Sequence, residues 1–246
     1  MGEKIIIYPA SALFNARETN FNLDLVDILE KDYGYACLLP QREGFEFSRL
    51  GSSLCDVMEP TDVPGAVQSI IYFYDMGKLI PLSDVVIANL DEPVDEGVVV
   101  EISYSRMMGK HVIGFRTDSR SPYGNSKDPF CGMHFFPAYQ CSLFIPHSVP
   151  AASYADSREG MTDLADRIDY CARELGVMHN AGMPDYATAN PVISGLLERA
   201  DVLFGGIDDV NDPRNLEKIA RRYTENEKFI EDYCPGVLGE TYTPCC

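Results

Sequence analysis

The sequence predicts an α/β protein, with a parallel sheet flanked by helices and a helical extension after it. Three observations carry this. Short β-branched runs at residues 4–8, 35–39, 85–90 and 111–115 are separated by helical patterns. That alternation demands right-handed crossovers, and crossovers of that kind build a parallel sheet. Beyond residue 146 the strand signal stops and only helical spacing continues.

Residues 4–8, KIIIY, read as a buried strand. After the loop PASALFNARE, Phe21, Leu25, Ile28 and Leu29 recur at helical spacing, and Tyr33-Gly34 closes that helix. Residues 35–39 form the next strand, ended by Pro40. Residues 43–64 are rich in Gly, Ser and Pro and read as irregular. A helix over 66–79 leads into the strand at 85–90. A second helix, 98–108, stops at Gly109-Lys110 and precedes the strand at 111–115, and Leu143 and Ile145 mark a last strand. Patterns at 158–176, 189–203 and 214–232 read as helices. The expected division is an α/β domain over 1–148 and a helical extension over 149–246 packed on it.

Composition narrows the function. The 246 residues hold 38 Asp plus Glu against 20 Lys plus Arg, a net charge of -18. Such a surface repels phosphate backbones, so nucleic-acid polymers are not expected partners. No apolar run approaches a membrane span, and the start MGEKIIIYPAS lacks a signal-peptide core. Ile6 also stands where a myristoylation signal needs Ser or Thr. The eight cysteines contain no CxxC pair, which fits a reduced cytoplasm, and Cys245-Cys246 reads as an exposed frayed end. His111, His134, His147 and His179 have no metal-binding spacing, and the chain has no GxGxxG, Walker or GxSxG sequence. Neither a metal nor a cofactor is expected.

In parallel sheets, ligands bind outside the carboxyl ends of the strands. The loops at 9–16, 40–47, 91–97 and 116–125 must share that edge. One of them opens the stretch LDEPVDEGVVVEISYSRMMGK, residues 90–110. Asp95 sits where a helix N-cap would, and Gly97 would let the backbone turn tightly there. Glu101 then falls in the first or second turn, near the positive helix end. Val98, Ile102, Ser105 and Met108 share one face, with Val99, Val100 and Tyr104 widening the apolar cover. Glu101 is a nucleophile or base on this pattern, or equally a self-capping residue or a partner of Arg106. Asp75, in YFYDMGKL, reads alone as a solvated residue. Asp91, Glu92, Asp95 and Glu96 read alone as an exposed charge run. Several carboxylates around one pocket would suit glycosyl transfer.

Three pieces in order resemble the nucleoside 2-deoxyribosyltransferase family: IYPASALF, FNLDLVDILEKDYGYACLLPQREGFEF, and SDVVIANLDEPVDEGVVVEISYSRMMGKHVIGFRTDSR. They span roughly residues 4–145. The resemblance implies a flavodoxin-like (Rossmann-like) fold and a double displacement that moves 2'-deoxyribose between nucleobases. It makes Glu101 the nucleophile, oriented by Tyr8, with Asp75 and Asp95 contacting base and sugar. It places Gln41 in the base-side loop and Phe14 in the aromatic turn after the first strand. Asn125 becomes the candidate for a residue reaching a neighbouring subunit's site, in a homo-oligomer that takes nucleosides and free nucleobases. The helical second half has no counterpart in the short members of the family. Two other functions are compatible with this fold. One is an N-glycosidase, in which water replaces the acceptor base, with Ser11 and Ser121 as modest phosphate-binding candidates. The other is a non-catalytic nucleoside-binding protein.

Overall fold

The structure, a computed structural model, describes residues 3–120, 127–148 and 152–233. Asn125, Ser121 and the Cys245-Cys246 pair lie outside them. Five strands, β1 (Ile6–Ala10), β2 (Ala36–Cys37), β3 (Val85–Asn89), β4 (His111–Arg116) and β5 (Leu143–Pro146), form one sheet in the order β2-β1-β3-β4-β5. Every pairing is parallel. This is the flavodoxin-like order, whose direction of winding reverses between β1 and β3.

The strands alternate between two apolar layers, as their period of two requires. Ile7, Ile87, Ile113 and Phe115 point to the face covered by α1 (Ala16–Lys31) and α8 (Tyr154–Glu174), where they meet Leu25, Leu29, Leu164 and Ile168. Tyr8, Ala10, Val86, Ala88 and Val112 point the other way. That face is covered by α3 (Phe47–Cys55), α4 (Val63–Tyr74), α6 (Glu96–Met107), α10 (Pro191–Phe204) and α11 (Pro213–Glu225). The remaining helical pieces are short: α2 (Pro40–Glu43), α5 (Ile80–Leu82), α7 (Phe135–Gln140), α9 (Asp185–Thr188) and α12 (Glu227–Glu231).

Several expectations need correction. The stretch expected to be irregular contains α2 and α3; α3 forms because Leu50 and Leu54 bury one turn apart while Glu46 caps its first amides. The second strand is only two residues long, at the sheet edge. The expected helix at 66–79 runs from residue 63 to 82 and is interrupted by a π-helical segment, Asp75–Leu79. Gly97 makes no tight turn: it lies within α6 in ordinary helical backbone. Val100 does not widen the apolar cover, being half exposed to solvent.

The π segment coincides with a close approach. A Cβ on Gly77 would collide with the Ala200 Cβ and lie 2.8 Å from Leu196 Cδ2, both on α10. Gly77→Ala should therefore destabilise the fold by about 1–2 kcal/mol, overpacking outweighing the gain in helix propensity. Calorimetry would show a Tm lower by several degrees, and an unchanged or higher Tm would contradict it. No helix among the described residues is long and apolar enough to cross a membrane.

Candidate active site

At the carboxyl edge of the sheet, by the β1/β3 switch point, lies a cavity of about 360 Å³. Four pieces of chain close it. Ser11, Leu13 and Phe14 come from the loop after β1, and Gln41, Gly44, Phe45 and Phe47 from the α2–α3 region. Ile71, Tyr74 and Asp75 come from the junction of α4 with the π segment, and Asp95, Gly97, Val98 and Glu101 from the start of α6. Its lining combines apolar and aromatic side chains with three carboxylates, Asp75, Asp95 and Glu101.

Glu101 stands in the second turn of α6, close enough to the helix N-terminus for the backbone dipole to favour its anion. It does not pair with Arg106, whose guanidinium donates to Ser142 Oγ instead. The Tyr8 hydroxyl donates to Glu101 Oε1 at 2.7 Å. Tyr8 reaches it because β1 alternation turns this side chain toward the α6 layer, where it is fully buried. Burial pushes the Glu101 carboxyl up to about 8; the Tyr8 hydrogen bond pulls it down, and Asp75 and Asp95 add a smaller upward push. Burial likewise lifts Asp75 to about 7. Tyr8 is held well above the usual phenol range by burial first and Glu101 second, so it stays protonated and stays a donor.

Asp95 caps α6, its Oδ1 accepting from Val98 N at 3.0 Å, which leaves the second oxygen without a hydrogen-bond partner among the described residues. A Cβ on Gly97 would lie 3.0 Å from that same Oδ1, so the missing side chain keeps the cap and the cavity open. Gln41 is fixed at both ends of its amide: Nε2 donates to Thr19 O at 3.0 Å, and Oε1 accepts from Asn22 Nδ2 at 3.1 Å. That geometry leaves one N–H and one lone pair for a ligand edge. Phe14 forms the rim and is 79 % exposed.

The remaining acids of the loop after β3 have other tasks. Asp91 accepts from Thr117 N, Thr117 Oγ1 and Asp118 N, at 2.7, 2.5 and 2.7 Å, and so locks the turn after β4. Glu92 lies 3.8 Å from the buried Arg116 guanidinium. The expected charge run thus divides into two structural acids and one cavity acid, Asp95, with Glu96 exposed. Asp91 and Glu92 also line a second, more polar cavity of about 400 Å³, which shares Asp95 with the first. Two residues that sequence reasoning passed over are Tyr74 and Phe45, whose rings meet edge to face at 5.2 Å in the aromatic wall. Phe45 fell in the stretch that reads as irregular, and Tyr74 in the apolar helix beside Asp75, so neither stood out. Among the described residues, no group of three metal-ligating side chains comes together.

The flavodoxin-like sheet with a carboxylate-bearing cavity at its switch point defines the class as a doubly wound α/β protein. A model of the nucleoside 2-deoxyribosyltransferase family matches residues 7–180, and the chain belongs to that family. No curated protein matches it. Five solved chains do. One of them, titled "Crystal structure of conserved protein from Enterococcus faecalis V583", is 18% identical with a TM-score of 0.39, covering 66% of this chain and 99% of that one.

Proposed function

We infer that the protein is an N-deoxyribosyltransferase that exchanges the base of 2'-deoxynucleosides through a deoxyribosyl ester on Glu101. The observation that carries this is the Tyr8–Glu101 hydrogen bond beside a cavity lined by aromatic side chains and three carboxylates. In the first half-reaction a Glu101 oxygen attacks the anomeric carbon. The bond from that carbon to the base nitrogen breaks, and the base leaves with the electron pair and a proton from Asp75. In the second half-reaction a new base gives its N–H proton to Asp75. Its nitrogen attacks the anomeric carbon, and Glu101 departs with its bonding pair.

The division of roles follows from surroundings. Asp75 adjoins the aromatic wall made by Ile71, Tyr74 and Phe45, and its raised pKa keeps a proton available near neutrality. Glu101 has the Tyr8 donor, and a sugar carbon gaining positive charge above it further favours the anion. With values of about 8 for Glu101 and about 7 for Asp75, Glu101 is the more protonated of the two near pH 7, and they titrate as a pair. It is the charge developing on the sugar carbon that draws Glu101 to its anion and leaves the proton on Asp75. Asp95, beside Glu101 and with one oxygen unpartnered among the described residues, suits a sugar hydroxyl. Gln41 offers its fixed amide, and Phe14 its exposed ring, to the base. A nucleoside-salvage role and assembly of several copies belong to the same reading; the exposed Phe135, Phe136 and Tyr139 on α7 are compatible with self-association.

The test is chromatography of the protein with a panel of 2'-deoxynucleosides plus free adenine or cytosine. New deoxynucleosides support the transferase, whereas free base alone would replace it with a hydrolase. Ligand-induced stabilisation without turnover would leave a binding protein.

Tyr8→Phe separates orientation from chemistry. Losing a hydrogen bond to a charged group, roughly 1.5–3 kcal/mol, should lower kcat/KM about 10- to 100-fold. Because the lost bond favours ionised Glu101, the acid limb of the pH–rate profile should move to higher pH. A limb that stays in place or moves down would contradict the role given to Tyr8.

A further inference from the structure

The aromatic wall of the cavity is fastened from behind by the second half of the chain. Asn211, in the turn between α10 and α11, holds the backbone of the α2–α3 loop with both ends of its amide. Its Nδ2 donates to Gly44 O at 2.8 Å, and its Oδ1 accepts from Glu46 N at 2.9 Å. Asn211 is itself fixed, since its own N–H donates to Asp209 Oδ1 at 2.9 Å. Between the two gripped residues lies Phe45, which faces the cavity. Behind it, Phe204 at the end of α10 packs edge to face on Tyr74 at 5.1 Å and against Phe45 at 6.1 Å. The same turn reaches the segment that carries Asp75, because Lys78 Nζ donates to Ile207 O. One turn, residues 205–212, therefore ties together two walls of the site that come from distant parts of the chain.

We propose that Asn211 is a positioning residue for the nucleobase, holding Phe45 and the α2–α3 loop against the acceptor base while touching neither base nor sugar. This rests on the base-exchange reading of the cavity, which it deepens. Apart from these two hydrogen bonds the loop is held by the packing of Phe45 on Tyr74 and Phe204. Gly44 closes α2 with its N–H on Pro40 O at 2.7 Å, and a Cβ at Gly44 would collide with that same oxygen, so the loop cannot be stiffened from within. With the two Asn211 hydrogen bonds gone, the loop can lift while Tyr8, Glu101 and Asp95 stay on β1 and α6. The acceptor base then binds the deoxyribosyl enzyme poorly, and water intercepts the intermediate more often.

The experiment uses the full chain with Asn211→Ala and with Asn211→Asp, which keeps the acceptor for Glu46 N but loses the donor to Gly44 O. Two net hydrogen bonds of about 1 kcal/mol each set the expected scale at tenfold or more. In Asn211→Ala, amide exchange across residues 44–50 should accelerate about tenfold or more, with Asn211→Asp in between. The KM for free adenine or cytosine should rise about tenfold or more, while base release at saturating donor nucleoside changes less than about threefold. Hydrolysis should gain on transfer in proportion.

Unchanged amide exchange would overturn the clasp whether or not the protein is a transferase. Faster exchange with a lower kcat and an unmoved acceptor KM would overturn the positioning role, leaving a structural one. If the wild type exchanges no bases, the Proposed function fails first, and the clasp is then read from the calorimetric affinity for adenine. That affinity should weaken about tenfold in Asn211→Ala; equal affinity, or none even in the wild type, would overturn the proposal.

Discussion

Base exchange by Glu101→Gln protein should fall at least about 10⁴-fold, equivalent to roughly 5–6 kcal/mol of lost transition-state stabilisation. The amide is nearly the same size as the carboxylate, and its oxygen can still accept from Tyr8, so the cavity should keep its shape. What disappears is the anion that, in the proposed mechanism, attacks the anomeric carbon and offsets its developing charge. A second readout removes the ambiguity of a lost activity. Wild-type protein quenched during turnover should carry one deoxyribosyl group by intact mass, located on the peptide containing Glu101, and the variant should carry none. Retention of more than a tenth of wild-type exchange by Glu101→Gln would sink the covalent mechanism, as would an adduct found on another residue.

The same substitution should make the protein more stable, by an amount that grows as pH rises from about 4.5 to about 8. Burial lifts the folded-state pKa of Glu101 to about 8, from an ordinary value of 4.5. Between those two values the folded chain retains a proton that the unfolded chain has released, so stability falls as pH rises through the window. Below about pH 4 the carboxyl is protonated in both states, and the penalty vanishes. Above about 8 the full penalty is present. The cavity leaves part of Glu101 open to solvent, so a gain on the order of 2 kcal/mol at pH 9 is a fair expectation. That corresponds to a Tm higher by about 4–8 °C at pH 9, shrinking toward zero at pH 4. Asp75→Asn should behave alike over a window ending near its value of about 7. A uniform Tm shift across pH would show that packing, not ionisation, sets the difference.

The layers of the fold were legible because Ile7 and Tyr8, or Val86 and Ile87, alternate between two apolar environments and leave little freedom about where helices go. Glu101 was half legible. Its spacing placed it early in a helix behind a cap at Asp95, but no local pattern could distinguish a Tyr8 partner 93 positions away from an Arg106 partner five positions away. The family resemblance made that choice, and the hydrogen bond agrees with it geometrically. Asp75 was harder still. In sequence it looks like one polar residue on an apolar helix, and only the joining of α4, α10 and α6 encloses it. The α3 helix was missed because Gly51 and three serines among its nine residues resemble a loop, while the informative signal was just the Leu50–Leu54 pair. Asn211 carried no signal, since its partners are backbone atoms, which every residue possesses.

The π segment has a consequence for how this helix can change over time. A π turn accommodates one residue more than the α ladder around it needs, so the helix from 63 to 82 contains a ready-made place for a one-residue deletion. Removing a residue between 76 and 79 would restore unbroken α hydrogen bonding and raise intrinsic helicity. Because the segment already absorbs the extra residue, the flanking turns would keep their register and the change would fall on the segment itself. Asp75 and Gly77 both lie in that segment, so the directions in which they face the cavity and Ala200 would change. The irregular turn thus sets intrinsic helicity against the direction in which Asp75 faces the cavity.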